Sequence, residues 1–368
     1  MRHRTSREFV ASARAAGLRH VTDSMPGIHR RRVGRGFSYV DPDGRVIRER
    51  ARIRRFRSLA IPPAWSDVWI CPIEEGHLQV TARDARGRKQ YRYHPDFRAH
   101  RDRAKFERMV ELSTVLWKVR EHVERDIALP GLQRRTVMAT IVWLLERTLI
   151  RVGSHELARE NNSFGLTTLR RRHVSIDGST LRFEFRGKSG VAHAVAVTDR
   201  RIARIVQRCR ELPGRELFQY VDARGRRQIV YADDVNAYLR KITGRDVTAK
   251  DFRTWMGTML AAESLRETGL APTKREAERN VLSAIDRTAE RLGNTRAVCR
   301  KYYIHPALIE AYLDGDVLPP LPEPVWQERR PHGPTLRQHE AEVLAFLKAR
   351  VGSHRSATEP RRQSRGAA

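Results

Sequence analysis

Cysteine is scarce in this chain: Cys71, Cys209 and Cys299 are the only three in 368 residues, odd in number and unrelated in spacing. That argues against a disulfide framework and against a structural zinc site, and it points to a reducing compartment. Long apolar runs are missing too. The longest, residues 137–145, is about half of the ~20 residues a membrane span needs and reads as a buried core helix. Residues 1–14 alternate Arg with polar residues and lack the apolar stretch of a secretory signal, so they read as a basic arm. Negative charge is the third shortage, with 43 Asp plus Glu against 72 Lys plus Arg and a formal net charge of +29. An excess of that size goes well beyond what solubility requires and calls for a polyanionic partner. Many of the cations are Arg, whose planar fork matches phosphate oxygens and base edges, so nucleic acid is favoured over a membrane surface.

What is present divides into two bodies, each long enough to bury its own core. Residues 36–93 read as β-rich. Residues 37–40 and 46–48 flank the turn Asp41-Pro42-Asp43-Gly44, and residues 69–72 and 77–83 follow as further strands, closed by the turn at residues 84–87. Residues 100–123 lack Gly and Pro and space Phe106, Met109, Leu112, Val115 and Leu116 at helical intervals. From there to about residue 315 the pattern is mainly helical, with a helix start at Thr273 and Glu276 in capping-box spacing. Residues 174–178, 181–185 and 191–197 break that pattern by alternating at period two, which predicts a small three-stranded sheet inside the helical body. The expected class is α+β: a small β-rich N-terminal domain, then a mainly α-helical catalytic domain carrying a three-stranded antiparallel sheet. The expected boundaries are a basic arm over 1–30, the β-rich domain over 31–105, the helical domain over 106–317 and a partly disordered extension over 318–368. That extension holds a Pro-rich segment at 318–324, an amphipathic stretch at 336–347 and a polar end from Gly352.

The chemistry-bearing residues come in sequence order: Arg151, Lys188, Arg253, Asn294 and Tyr303. A phenol ionises only near pH ~10 and is a weak nucleophile at neutral pH unless cations stabilise the phenolate. Tyr303 lies in a segment crowded with them, after Arg300 and Lys301, with Tyr302 as its rival. A phenolate so held can attack phosphorus while fixed cations take up the charge developing on oxygen. Arg151 follows the apolar helix at a position from which it can face a cleft. Arg253, between Phe252 and Trp255, is expensive to bury without an anion, whether that anion is a ligand or a neighbour such as Asp251. Lys188 sits in a hairpin turn, where an ammonium closing on DNA could protonate a leaving 5′ oxygen.

Residues 150–153 (Ile-Arg-Val-Gly), Gly187-Lys188, Phe252-Arg253-Thr254, residues 293–298 and residues 301–306 together resemble the type IB DNA topoisomerases, in particular their short poxvirus-like and bacterial branch. Order and spacing match across about residues 30–315, with Asn294 nine residues before Tyr303. The resemblance implies an enzyme that relaxes supercoiled DNA without ATP, metal or other cofactor. It works through a 3′-phosphotyrosine on Tyr303, with Arg151, Arg253 and Asn294 on the non-bridging oxygens and Lys188 as general acid. It also implies a monomer clamping duplex DNA, working in the cytoplasm on the nucleoid. Residues 87–93 resemble the strand this family places in the major groove, which makes Arg83, Lys89, Gln90, Tyr91 and Tyr93 the expected DNA contacts. The chain departs from the pattern at Asn294, where the family often has His; an amide donates the same hydrogen bond but stays neutral. The related tyrosine recombinases share the pentad and usually carry His three residues before the second Arg, where this chain has Lys250. A recombinase, and an architectural DNA binder that uses the pentad structurally, are the alternative readings.

Overall fold

In the computed structural model, which describes residues 2–316 and 338–358, the chain divides into two units, Met1–Lys105 and Phe106–Ala368. The first unit contains α1 (Arg2–Ala15), β1 (Ile28–Val33), β2 (Gly36–Val40), α2 (Arg50–Ser58), β3 (Ser66–Ile70), β4 (Leu78–Arg83) and β5 (Lys89–Tyr93). Its strands form one antiparallel sheet in the order β2-β1-β3-β4-β5. Ile28, Val68, Ile70, Val80 and Ala82 supply the buried face, which packs with Phe56 of α2.

Residues 1–30, expected to be a basic arm, contain helix α1 and the start of β1. Helix α1 brings Ala13 into a cluster with Leu18 and Phe97, and residues 28–30 already belong to β1. The run Arg30-Arg31-Arg32 hides that strand, because its charges mask the alternation that a strand imposes. Arg30 is structural: it donates to the carbonyls of Ile61, Pro62 and Trp65 at 3.0, 2.9 and 2.7 Å and lies over the Phe37 ring at 4.1 Å. The turn at 41–44 forms, with Gly44 at φ +84 and Arg45 N donating to Asp41 Oδ1 at 2.8 Å. Its expected second strand at 46–48 shrinks to a single bridge between Val46 and Val40.

Helix α3 (Pro95–Ile127) runs from the first unit into the second. The second unit continues with α4 (Arg134–Thr148), α5 (His155–Asn161), β6 (Val174–Asp177), β7 (Thr180–Arg186), β8 (Ala192–Thr198), α6 (Arg200–Glu211), β9 (Gln219–Val221), β10 (Arg227–Ile229), α7 (Ala232–Thr243), α8 (Ala249–Thr268), α9 (Lys274–Leu292), α10 (Arg296–Tyr302), α11 (Pro306–Leu313) and α12 (Gln338–Thr358). Helix α4 is its centre, buried continuously from Thr136 to Leu145, as a helix apolar on every side must be. The expected three-stranded sheet is present in the order β6-β7-β8, and Thr273 caps α9 by accepting from Glu276 N at 3.2 Å. The α+β class read from the sequence is the class observed. No helix among the described residues is long and apolar enough to cross a membrane.

Part of the C-terminal extension is core. Val343, Leu344 and Leu347 of α12 join the main hydrophobic cluster, and Arg120 of α3 donates to Glu340 at 2.7 and 2.8 Å and to Glu146 of α4 at 2.6 and 2.8 Å. The polar end expected from Gly352 is helical as far as Thr358. The Pro-rich segment 318–324 and the end beyond 358 lie outside the described residues.

Candidate active site

Four of the five pentad residues converge where α4, α8, α9 and α10 end or cross. Helix α4 stops at Leu149, whose left-handed backbone (φ 56) turns the chain sharply. The next residues are clamped by a second segment: Leu166 N donates to Arg151 O and Thr167 N to Val152 O, each at 2.8 Å. That close approach depends on Gly165, where a Cβ would stand 2.5 Å from Arg151 O. Arg151, fixed in this way, donates through Nη2 to Asn294 Oδ1. A guanidinium has only donors, so the amide oxygen must be the atom that faces it. The Asn294 NH2 is thereby turned away from Arg151 and donates to Leu292 O at 3.4 Å.

Arg253 lies on α8 and is 3 % exposed. Its partners are carbonyls, Leu149 O at the end of α4 and Leu292 O at the end of α9, the latter at 2.8 Å, while its Nε has none. Asp251 does not pair with it. That carboxylate caps α8, accepting from Thr248 N and Oγ1 at 2.8 Å each, with Arg108 3.9 Å away. Burial therefore pushes the Arg253 guanidinium down to about 10, the nearby Arg151 charge adds to the effect, and the Tyr303 hydroxyl opposes it.

Tyr303 ends α10, with its ring centroid 5.3 Å from the Arg253 guanidinium carbon. Its backbone is pinned against α8: Thr258 Oγ1 donates to Tyr303 O at 3.3 Å, and a Cβ on Gly257 would stand 2.7 Å from the same oxygen. A glycine inside a helix costs about 1 kcal/mol relative to Ala, and here the close approach of Tyr303 accounts for it. Tyr302 points the other way, 38 % exposed under Lys301 at 5.4 Å. Lys188 is the fifth member and stands apart. It is exposed at the tip of the β7–β8 hairpin, and no side-chain contact joins it to the other four.

Residues 94–315 match the family of the eukaryotic DNA topoisomerase I catalytic core, and residues 36–84 match the bacterial DNA topoisomerase IB N-terminal domain. The chain belongs to the type IB DNA topoisomerases. Among its relatives, the DNA topoisomerase 1B of Acanthamoeba polyphaga mimivirus is 29% identical over 298 residues, 79% of this chain and 89% of that protein. The DNA topoisomerase 1 of Mycosarcoma maydis is 32% identical over 97 residues, 26% of this chain and 9% of the relative. The DNA topoisomerase 1B of Vaccinia virus (strain Copenhagen) is 25% identical over 114 residues, 31% of this chain and 36% of the relative. This type IB topoisomerase is thus an enzyme whose substrate is DNA, and neither the recombinase nor the architectural reading is favoured.

The N-terminal unit of the topoisomerase places four of the five expected DNA contacts on one face of its sheet, since Arg83 of β4 stands directly opposite Lys89 of β5. Alternation along β5 puts Lys89, Tyr91 and Tyr93 on one face and Gln90 on the other. Tyr91 is 49 % exposed and stacks on Tyr93 at 6.2 Å, whereas Tyr93 also packs on Phe97 at 5.4 Å and Phe9 at 6.1 Å. Lys89 pairs with Asp23, Gln90 donates to Asp84 at 3.0 Å, and Arg83 donates to Gly87 O at 2.9 Å with Asp67 3.3 Å away. Of the five, Tyr91 is the one presented without an acidic partner or an aromatic core around it.

Two residues beside the topoisomerase site escaped the sequence reading. Cys299 is buried, and burial pushes its thiol up to about 11 although Arg253, Arg151 and the Asn294 side chain act against it. His193 on β8 is half-buried, held below its usual value by burial and then by Arg151 and Arg253. The only signals were indirect: Cys299 is one helical turn before Tyr303, and His193 sits on the strand that returns from Lys188.

Proposed function

We propose that this enzyme relaxes supercoiled duplex DNA by transient cleavage of one strand, with Tyr303 as nucleophile. The Tyr303 oxygen forms a bond to the scissile phosphorus, the bond from phosphorus to the 5′ oxygen breaks, and a 3′-phosphotyrosine results. The phenolic proton leaves to solvent, and Lys188 returns one to the departing 5′ oxygen. Arg151, Arg253 and the Asn294 NH2 bind the two non-bridging oxygens as charge builds on them. The phosphotyrosine conserves the energy of the original bond, so the free 5′-hydroxyl can reattack without ATP once torsion has been released by rotation. Side chains provide all the positive charge that this sequence of steps uses. The groups lie on one chain, so one copy on one duplex suffices, and three buried free thiols suit a reducing cytoplasm where the nucleoid is the substrate.

The observation that carries the reading is Arg253. A buried guanidinium that meets carbonyl oxygens and a tyrosine, but no carboxylate among the described residues, is a cation set out for an incoming anion. Purified protein incubated with supercoiled plasmid in EDTA, without ATP, tests it when part of the reaction is quenched with detergent and the DNA-linked peptide is mapped. Relaxed plasmid and an adduct on Tyr303 are expected, with both lost and DNA binding retained in Tyr303→Phe. Salt-sensitive binding with neither relaxation nor adduct would overturn the reading.

A further inference from the structure

The hairpin that carries Lys188 and the loop that carries Asn294 meet on one side chain, that of His193. Its strand β8 pairs with β7 so that His193 stands opposite Phe185, and the two rings stack with centroids 5.0 Å apart and planes within 9°. A Cβ on Gly187 would stand 2.5 Å from His193 Cδ2 and 2.6 Å from Nε2, and one on Gly293 would stand 2.7 Å from Cε1. The imidazole edge thus fills the gap between these glycines, which immediately precede Lys188 and Asn294. Gly187 has an ordinary extended backbone, φ −93 and ψ −165, so it is glycine for space and not for its dihedrals.

The hairpin tip is closed on itself by Gly190 N donating to Gly187 O at 3.1 Å and Val191 N to Lys188 O at 3.5 Å, bonds that tie it to nothing outside the hairpin. Gly187 N donates to Val191 O at 2.7 Å, and Phe164 N to Arg186 O at 2.8 Å; beyond them the tip reverses through Ser189 at φ 61. The Lys188 side chain is exposed and has no side-chain partner among the described residues to aim it. Whatever sets the hairpin base therefore sets where the ammonium goes.

We propose that His193 is a positioning residue for strand cleavage: by seating the Lys188 hairpin against the Gly293-Asn294 loop, it aims the Lys188 ammonium at the leaving 5′ oxygen. The proposal rests on Lys188 being the proton donor. Displacing a catalytic group by about 1 Å can cost on the order of 10²-fold in rate, which sets the size of the effect.

The test compares single-turnover cleavage of two duplex oligonucleotides, identical except that one carries sulfur for oxygen at the bridging 5′ position. A thiolate departs without a proton, so a defect confined to proton delivery disappears on the sulfur substrate. The thiol product is also a weak nucleophile toward phosphorus, so the end-point of that reaction counts folded, competent enzyme and allows each rate to be expressed per active site. His193→Ala should cleave the oxygen substrate on the order of 10²-fold more slowly and the sulfur substrate within about threefold of the unaltered enzyme, with His193→Gln between the two. Gly187→Ala pushes the same contact from the hairpin side and should give the same oxygen-selective loss. Equal loss on both substrates, or no loss on either, would overturn the proposal. Lys188→Ala serves as the control: if sulfur fails to rescue it, Lys188 is not the proton donor and the proposal falls with that reading, whereas rescue of Lys188→Ala without rescue of His193→Ala removes the role of His193 alone.

Discussion

Arg120 and Arg253 are buried to the same degree, each 3 % exposed, and both reach the same stretch of α4. Arg120 binds Glu146, one turn from the helix end, together with Glu340 from α12; Arg253 binds the carbonyl of Leu149, three residues further on. Burial alone would lower both guanidinium values. At Arg120 the two carboxylates overcome it and raise the value above normal, while at Arg253, with no carboxylate, the value falls to about 10. The difference teaches how to tell a cation that holds the fold from one that awaits a ligand. Burial does not separate them; the formal charge of their partners does.

The largest effect should come from unbalancing the closed junction. Arg120→Met takes the Arg120 guanidinium away from the buried carboxylates of Glu146 and Glu340, and breaking such a pair costs about 3–5 kcal/mol. Thermal or urea unfolding of the full chain should show that loss, and α12 should become the first part of the second unit to exchange its amide hydrogens. An unchanged midpoint would erase the contrast between the two arginines.

Arg253→Met should do the opposite. Removing a buried cation that meets no carboxylate among the described residues takes a donor from two carbonyls and strands no charge, so the loss of stability should stay at about 1–3 kcal/mol, below that of Arg120→Met. Cleavage should slow by about 2.7–4 kcal/mol in barrier, roughly 10²- to 10³-fold, as expected for the loss of one donor to a charged oxygen. Paired unfolding and single-turnover measurements on both variants form the decisive experiment. If Arg253→Met unfolds the protein as Arg120→Met does, Arg253 is a second structural staple and not part of a phosphate site.

That contrast also marks what could be read from the sequence. Arg253 stood out because it falls between Phe252 and Trp255, and Tyr303 because Arg300 and Lys301 precede it; both signals are local. Arg120 gave none, since its partners lie 26 and 220 residues away and charged pairs across such distances leave no pattern in the chain. The same holds for His193, whose meaning depends on Gly187 and Gly293 coming together in space. The three-stranded sheet was legible from period-two alternation, whereas β1 was not, because consecutive arginines covered the alternation that would have shown it. Gly257 was equally silent: a lone glycine in a helical pattern says that something approaches closely, not what.

Gly257→Ala probes the open junction more gently. Alanine favours the helix by about 1 kcal/mol, but its methyl would stand 2.7 Å from Tyr303 O, a backbone atom that cannot swing aside. Overpacking of this kind typically costs about 1–3 kcal/mol, so a net loss of stability is expected together with slower cleavage as Tyr303 shifts from Arg253. A stabilised variant with normal cleavage would mean that the Tyr303 backbone has room to move and that its position beside Arg253 is not enforced.

The smallest effect should be at Tyr302. It is adjacent in sequence to the proposed nucleophile and carries the same phenol, which makes it the rival in the sequence. In the folded chain Tyr302 is 38 % exposed with Lys301 over its ring, whereas Tyr303 lies beside the guanidinium that has no carboxylate. Tyr302→Phe should therefore change stability by no more than about 0.5 kcal/mol, leave the cleavage rate intact, and leave the covalent adduct on the same peptide and the same residue. An adduct that vanishes in Tyr302→Phe and survives in Tyr303→Phe would place the chemistry on the exposed phenol, away from Arg253, and would show that a buried cation without a carboxylate is not, in this fold, where phosphate goes.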